Sequence, residues 1–245
     1  MPDDTQITSA VNSTSRRQFM GYAALFGGGM ALVSCGVAFP ELTAAEKQDI
    51  DILNYALTLE YLEAEFYAAF IGSGPYAGKL SNPRVIQYAK EIAAHEASHV
   101  EALKKTIISL RATPVAKPTF DFSPLIGNAT VNDQLFLQLA AVLEPVGVRA
   151  YLGQVARLSN PQLIAAAAAI HAVEANHVSA VQELRVKLGF NTTPERQTDI
   201  APQSVTRPNS TAAADFDPNY APAPTALWKA LTMAEVLAIV KPVIK

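Results

Sequence analysis

All four histidines of this chain fall in two short segments, His95-Glu96-Ala97-Ser98-His99 and His171-Ala172-Val173-Glu174-Ala175-Asn176-His177. Each segment contains Glu-x-x-His, as Glu96/His99 and Glu174/His177. Three residues is close to one helical turn, so each pair places a carboxylate and an imidazole on the same helix face. Two such pairs form the metal-ligand pattern of a bundle in which facing helices project carboxylates and imidazoles inward. That requirement excludes strands at both places and calls for at least two more helices to close the site.

Four long helical segments are predicted. The first opens at Thr43-Ala44-Ala45-Glu46, a capping box, and runs to Ile71 before Gly72-Ser73-Gly74-Pro75. The second opens at Asn82-Pro83, an N-cap with proline at the first helical position, and ends near Arg111. The third spans about 131–158. The fourth repeats the Asn-Pro start at Asn160-Pro161 and stops at Gly189. Helices three and four are joined almost directly, which makes them antiparallel neighbours, and the first two are joined by about a dozen residues, compatible with another antiparallel pair. Residues 112–130 are irregular and hold Pro114, Pro118 and Pro124. Extended, such a stretch reaches at most about 60 Å, enough to cross a helix of about 42 Å end to end. Helices two and three are therefore expected to run parallel, in an all-α four-helix bundle with a long crossover between them.

Two further carboxylates lie on predicted apolar stripes. Glu60 sits among Ile50, Leu53, Leu57, Ala64, Tyr67 and Ile71; Glu144 sits among Leu137, Ala140, Val148, Tyr151 and Val155. An unpaired carboxylate on such a face is costly. Glu60, Glu96/His99, Glu144 and Glu174/His177 all fall within a turn of the middle of their helices, so they meet at one level. Tyr67 follows Glu60 by seven residues and Tyr151 follows Glu144 by seven, which suggests two copies of a helical hairpin and a site of approximate two-fold symmetry. Glu63, one turn from Glu60, is an alternative to it. His95 and His171 are additional ligands, groups behind the ligands, or plain surface histidines. Pro145, directly after Glu144, removes a backbone hydrogen bond and is expected to kink the third helix and re-aim Glu144.

Outside the bundle, Ser15-Arg16-Arg17-Gln18-Phe19-Met20 resembles a twin-arginine export motif, and Gly21–Ser34 is an uncharged apolar run too short for a comfortable membrane span. It ends in Leu32-Val33-Ser34-Cys35, which looks like a lipobox with Cys35 as the lipidated residue; cleavage without lipidation after Gly36-Val37-Ala38 is the alternative. Cys35 is the single cysteine, so no intramolecular disulfide can form. The expected division is a signal and lipobox region at 1–38, a bundle at 39–190, and a Pro-rich tail at 191–245. The tail ends in a short amphipathic helix over Thr225–Val240, with Leu227, Trp228, Leu231, Val236 and Ile239 apolar. Its polar face carries no basic run, so docking on the bundle is favoured over membrane binding. A net charge near −3 without a basic stripe excludes nucleic acid as a partner. A membrane is contacted only through the lipid anchor, and the protein is expected in the periplasm or cell envelope.

Leu57-Thr58-Leu59-Glu60-Tyr61-Leu62-Glu63-Ala64-Glu65-Phe66-Tyr67 and Gly147-Val148-Arg149-Ala150-Tyr151-Leu152-Gly153 resemble the ferritin-like superfamily, and more narrowly its secreted, desiccation-related members, over about residues 43–190. The resemblance implies Glu60 and Glu144 as terminal carboxylate ligands, Glu96 and Glu174 as bridges between two metals, and His99 and His177 as one imidazole for each. Hard carboxylates with one imidazole per metal suit iron or manganese. The implied activity is stress-related oxidoreductase chemistry on peroxide, dioxygen or ferrous iron. A homo-oligomer is compatible with it, whereas a closed storage shell fits poorly with a signal-bearing N-terminus and a long tail. Two other readings stand beside it: a metal-free scaffold or stress-protective interaction protein, and a zinc protease through His95-Glu96-x-x-His99. The protease reading leaves His171, Glu174, His177, Glu60 and Glu144 without a role.

Overall fold

The computed structural model describes residues 41–190 and 228–245. The twin-arginine segment, Cys35 and residues 191–227 of the tail lie outside the described residues. Among the described residues four long helices are present: α1 (Ala44–Phe70), α2 (Pro83–Ser109), α3 (Asp133–Val155) and α4 (Pro161–Lys187). Their starts follow from the expected caps. The Thr43 hydroxyl and Glu46 carboxylate form a reciprocal capping box, while Asn82 and Asn160 accept from Arg84 and Gln162 backbone N–H groups at 2.9 Å.

The helix directions are set by two reciprocal clasps. Asp49 of α1 accepts from the Ser159 N–H (2.8 Å), the Ser159 hydroxyl (2.7 Å) and the Asn160 N–H (3.2 Å). Asp133 of α3 does the same for the Ser81 N–H, Ser81 hydroxyl and Asn82 N–H. Each aspartate thus ties the start of its own helix to the start of another, so α1 runs parallel to α4 and α2 parallel to α3. Within each hairpin, α1 with α2 and α3 with α4, the short connections make the helices antiparallel. This is the expected one-crossover bundle. The crossover follows α1 along its length: Val115 N–H donates to Asn54 Oδ1 at 2.7 Å, Lys117 pairs with Glu65, and Phe122 packs edge-on against Phe66 at 5.6 Å.

Two apolar clusters fill the interior. The larger is aromatic: Phe66 stacks on Phe136 at 5.8 Å and meets Tyr67 edge-on at 5.1 Å. Each such buried ring contributes about 1.5–3 kcal/mol. The second cluster gathers Leu53, Leu57, Leu103, Ile107 and Tyr151. By length and composition α3 and α4 are apolar enough to cross a membrane; in the bundle α3 is a core helix, 78% of its apolar window being buried, and α4 turns Glu174 and His177 into the interior.

α3 stays helical through Pro145, and Glu144 is fully buried, its carboxylate accepting from the Tyr67 hydroxyl. One expectation is corrected. The C-terminal helix, α5, spans only Met233–Val240, because the Thr232/Glu235 capping box sets its start. Ile239 is exposed, while Leu231 and Val236, both expected on the apolar face, are buried together with Val240. The segment does dock on the bundle. Leu231 N–H donates to the Arg149 carbonyl at 3.2 Å and Arg149 Nε donates to the Lys229 carbonyl at 2.6 Å. Beyond α5, Asp121 N–H donates to the Val243 carbonyl and Lys245 N–H to the Thr119 carbonyl, both at 2.9 Å, joining the chain end to the crossover.

Candidate metal centre

Each helix delivers its acidic residue to the interior at mid-length. Glu60, Glu96, Glu144 and Glu174 have no exposed surface, and His99 and His177 are nearly as deep. Burying so many charges is tolerable only if they are paired or bind cations. The six fall into two groups whose ligand-type atoms lie within 4.8 Å of one another: Glu60, Glu96, His99 and Glu174, and Glu96, Glu144, Glu174 and His177. Glu96 and Glu174 belong to both.

The contacts obey the expected two-fold pattern. His99 Nδ1 lies 3.1 Å from Glu60 Oε2, 3.1 Å from Glu96 Oε2 and 3.2 Å from Glu174 Oε1. His177 Nδ1 lies 3.0 Å from Glu96 Oε1, 3.2 Å from Glu144 Oε2 and 3.8 Å from Glu174 Oε2. One N–H cannot serve three carboxylates, and neither Glu174 oxygen receives a hydrogen bond of good geometry. A nitrogen and three carboxylate oxygens from three helices, converging twice, fit a divalent cation in each group, and the hard oxygen-rich donor set suits iron or manganese. The tyrosines are exchanged between the halves: Tyr67 donates to Glu144 Oε1 and Tyr151 to Glu60 Oε1.

The electrostatics match. Burial pushes Glu60 well above the usual carboxylate range, with Glu174 and Glu96 adding to it against the pull of His99. Burial likewise raises Glu144 to about 8, against the opposing hydrogen bond to His177. Burial would raise Glu96 too, but hydrogen bonds from His177 and His99 outweigh it and hold this carboxyl at about 2. Burial acts to lower both histidines, yet the surrounding carboxylates push each up to about 12. Without metal, protons sit where cations would.

Glu63 adds to Glu60 rather than replacing it. It is buried, and burial together with Glu174 and Glu96 pushes its carboxyl well above the usual range. The site accommodates it because Gly147 lies opposite: a Cβ there would stand 2.9 Å from Glu63 Oε1 and 3.2 Å from Glu174 Oε2. Glu63 follows Glu60 by three residues and Gly147 follows Glu144 by three, so glutamate in one half is matched by glycine in the other. That spacing is visible in the sequence, but which residue faces which is not.

The remaining histidines separate. His95 Nδ1 lies 3.0 Å from His177 Nε2, the two rings meeting edge to edge with centroids 5.2 Å apart and planes within 13° of each other. With His177 Nδ1 turned to the carboxylates, its Nε2–H donates to His95 and holds the ring in place. His95 is otherwise exposed. His171 joins neither group, and its buried Nδ1 has no hydrogen-bond partner. His95 and His99 do not share a group, as a zinc-protease site would require. Sequence reasoning missed Asp49 and Asp133, whose signal was an equal spacing: each precedes its helix's inward glutamate, Glu60 or Glu144, by eleven residues.

A family model described as a ferritin-like domain matches residues 48–187. No curated protein matches the chain.

Proposed function

The chain belongs to the ferritin-like domain family, and from that premise we propose that it is a dinuclear iron or manganese protein performing stress-related oxidoreductase chemistry on peroxide, dioxygen or ferrous iron. The carrying observation is the doubled convergence of one imidazole nitrogen with three carboxylate oxygens. Glu60 and Glu144 would each hold one metal, Glu96 and Glu174 both, and His99 and His177 one each. When bound, such a pair supplies one-electron steps that carboxylates and imidazoles cannot.

The protein's own residues position and insulate. Tyr67 and Tyr151 stay protonated because burial and the neighbouring carboxylates oppose loss of their protons, so each phenol remains a donor that orients one terminal carboxylate. Two apolar clusters keep bulk water away, which strengthens every electrostatic interaction at the centre. Glu63, with a raised tendency to hold a proton, makes the two halves unequal. We also read the N-terminal segment as a twin-arginine signal with Cys35 as a lipidation site, which would deliver a folded, metal-loaded protein to the cell envelope.

The test is metal analysis of protein purified without chelator, followed by peroxide consumption by iron- or manganese-loaded wild type and the Glu96→Ala/Glu174→Ala variant. Two equivalents of metal and activity lost in the variant are expected. Less than a tenth of an equivalent would leave a metal-free scaffold; equal rates would leave a metal-binding protein without this enzymatic role.

A further inference from the structure

At the end of the bundle where α1 and α4 begin, a cavity of about 50 Å³ lies between the four helices. Ala56, Ala102, Ala150, Ala166 and Ala167 contribute only methyl groups to its wall, which is why packed helices leave space there. The surface facing the cavity is almost entirely hydrocarbon. Tyr55 Oη and Gln154 Nε2 are buried and present no surface to it. Gln154 Oε1 accepts from Arg157 Nη1 at 2.6 Å, the Thr106 hydroxyl donates to the Ala102 carbonyl at 2.8 Å, and Tyr151 donates to Glu60. A buried water needs polar partners, and no lining side chain offers one. The cavity also abuts the candidate metal centre. Ala56 lies four residues before Glu60, Leu103 four after His99 and Ile170 four before Glu174. On three helices the lining is therefore one turn, about 5.4 Å, from a candidate ligand. The exposed lining residues are Ala102 of α2 and Ala166 of α4, which places the mouth between these helices.

We infer that this cavity is a binding site for a small apolar gas, and that it admits dioxygen between α2 and α4 to within a turn of the candidate metal ligands. The wall discriminates among peroxide, dioxygen and ferrous iron by what each would lose on entering. The lining holds no charged residue, so a ferrous ion would give up its hydration shell without a counter-charge, which is prohibitive. Hydrogen peroxide has a pair of hydroxyls, and each left unpaired costs about 1–3 kcal/mol. Dioxygen has no strong hydrogen bonds to lose, and water favours its transfer to hydrocarbon. Size agrees. A water needs about 10–15 Å³ and benzene occupies a cavity of about 150 Å³, so a volume of about 50 Å³ holds a diatomic molecule and refuses a ring. Reaction of dioxygen at the metals rests on the function proposed above; its occupancy of the cavity does not.

The experiment follows alanine methyl relaxation by NMR in the metal-free full chain under dioxygen pressure, with nitrogen as the diamagnetic blank. Dioxygen is paramagnetic and relaxes the nuclei it sits beside. Alanines of matched burial supply the comparison: Ala56 (7% exposed) with Ala69 (6%), and Ala150 (1%) with Ala141 (0%). Only the first of each pair lines the cavity, and its relaxation should rise several-fold more than its partner's. A xenon-pressurised crystal should show an atom bounded by Ala56, Leu103 and Ala167. Ala167→Leu fills the space and should abolish both signals. Ala102→Leu, on the exposed side where packing is not at stake, should narrow the mouth and reduce them. Tyr55→Phe should change neither, because its hydroxyl presents no surface. Equal relaxation within each pair, xenon seated elsewhere, ordered water filling the cavity, signals that survive both leucine variants, or their loss in Tyr55→Phe would each overturn the inference. Because the protein is metal-free throughout, failure here is distinguishable from failure of the metal assignment.

Discussion

Gly147→Ala tests the placement of Glu63 through a change of sign. In the middle of α3, replacing glycine by alanine should stabilise the helix by about 0.8–1 kcal/mol on intrinsic propensity alone. The new methyl carbon would stand 2.9 Å from Glu63 Oε1 and 3.2 Å from Glu174 Oε2, where ordinary contacts begin at 3.4 Å. Both oxygens end side chains, so they can give way, but Glu63 and Glu174 are buried and must withdraw within a packed interior. Such overpacking costs about 1–3 kcal/mol. Steric cost outweighs propensity, and the net is a loss of about 1 kcal/mol, or about 2–4 °C in Tm for a chain of this size. Calorimetry of the metal-free protein measures it, and competition with a chelator measures the expected tenfold or greater loss of metal affinity as Glu174 is displaced. In a Glu63→Ala background the closest contact is gone, and the same substitution should instead raise stability by close to 1 kcal/mol. The two contexts form a double-mutant cycle. If Gly147→Ala stabilises both backgrounds equally and leaves metal affinity unchanged, Glu63 does not occupy the space opposite Gly147.

Loading two metal ions at pH 7 should release at least three protons, because His99 and His177 are held up to about 12 and Glu144 up to about 8; metal competes with these protons, so affinity rises from pH 6 to 8, and an indicator titration showing no release would contradict the proton-filled site. Asp49→Ala and Asp133→Ala should each cost about 2 kcal/mol in urea unfolding, since each removes the acceptor for a hydroxyl and two helix-start N–H groups. Their effects should add within about 0.5 kcal/mol. Gly153→Ala would set a Cβ 1.9 Å from the Leu231 carbonyl oxygen, a backbone atom, so the segment from Trp228 onward must lift. Faster tryptic cleavage at Lys229 with bundle helicity intact is the expected readout, and an unchanged digestion pattern would refute that packing.

What was legible in the sequence was local. Helix starts follow from Thr43, Asn82 and Asn160, because a cap acts on N–H groups two or three residues away. The Glu-x-x-His pairs share a face for the same short-range reason, and the length of the crossover restricted how α2 and α3 could run. Glu60 and Glu144 were found because a carboxylate on an apolar stripe needs a partner wherever the stripe is buried. The tyrosines were seen as a repeat, but not that Tyr67 serves Glu144 and Tyr151 serves Glu60, an exchange between halves that no spacing within one helix expresses. The same holds for Asp49 and Asp133, for Glu63 against Gly147, and for His95 behind His177. Those pairings depend on the rotation and axial register of packed helices, and these are decided by how side-chain volumes from distant segments interlock. The chain by itself thus determined which side chains would be driven inward and at what level; only tertiary packing decided which of them meet, because local periodicity orients a residue about its own helix axis and carries no information about the helix on the other side.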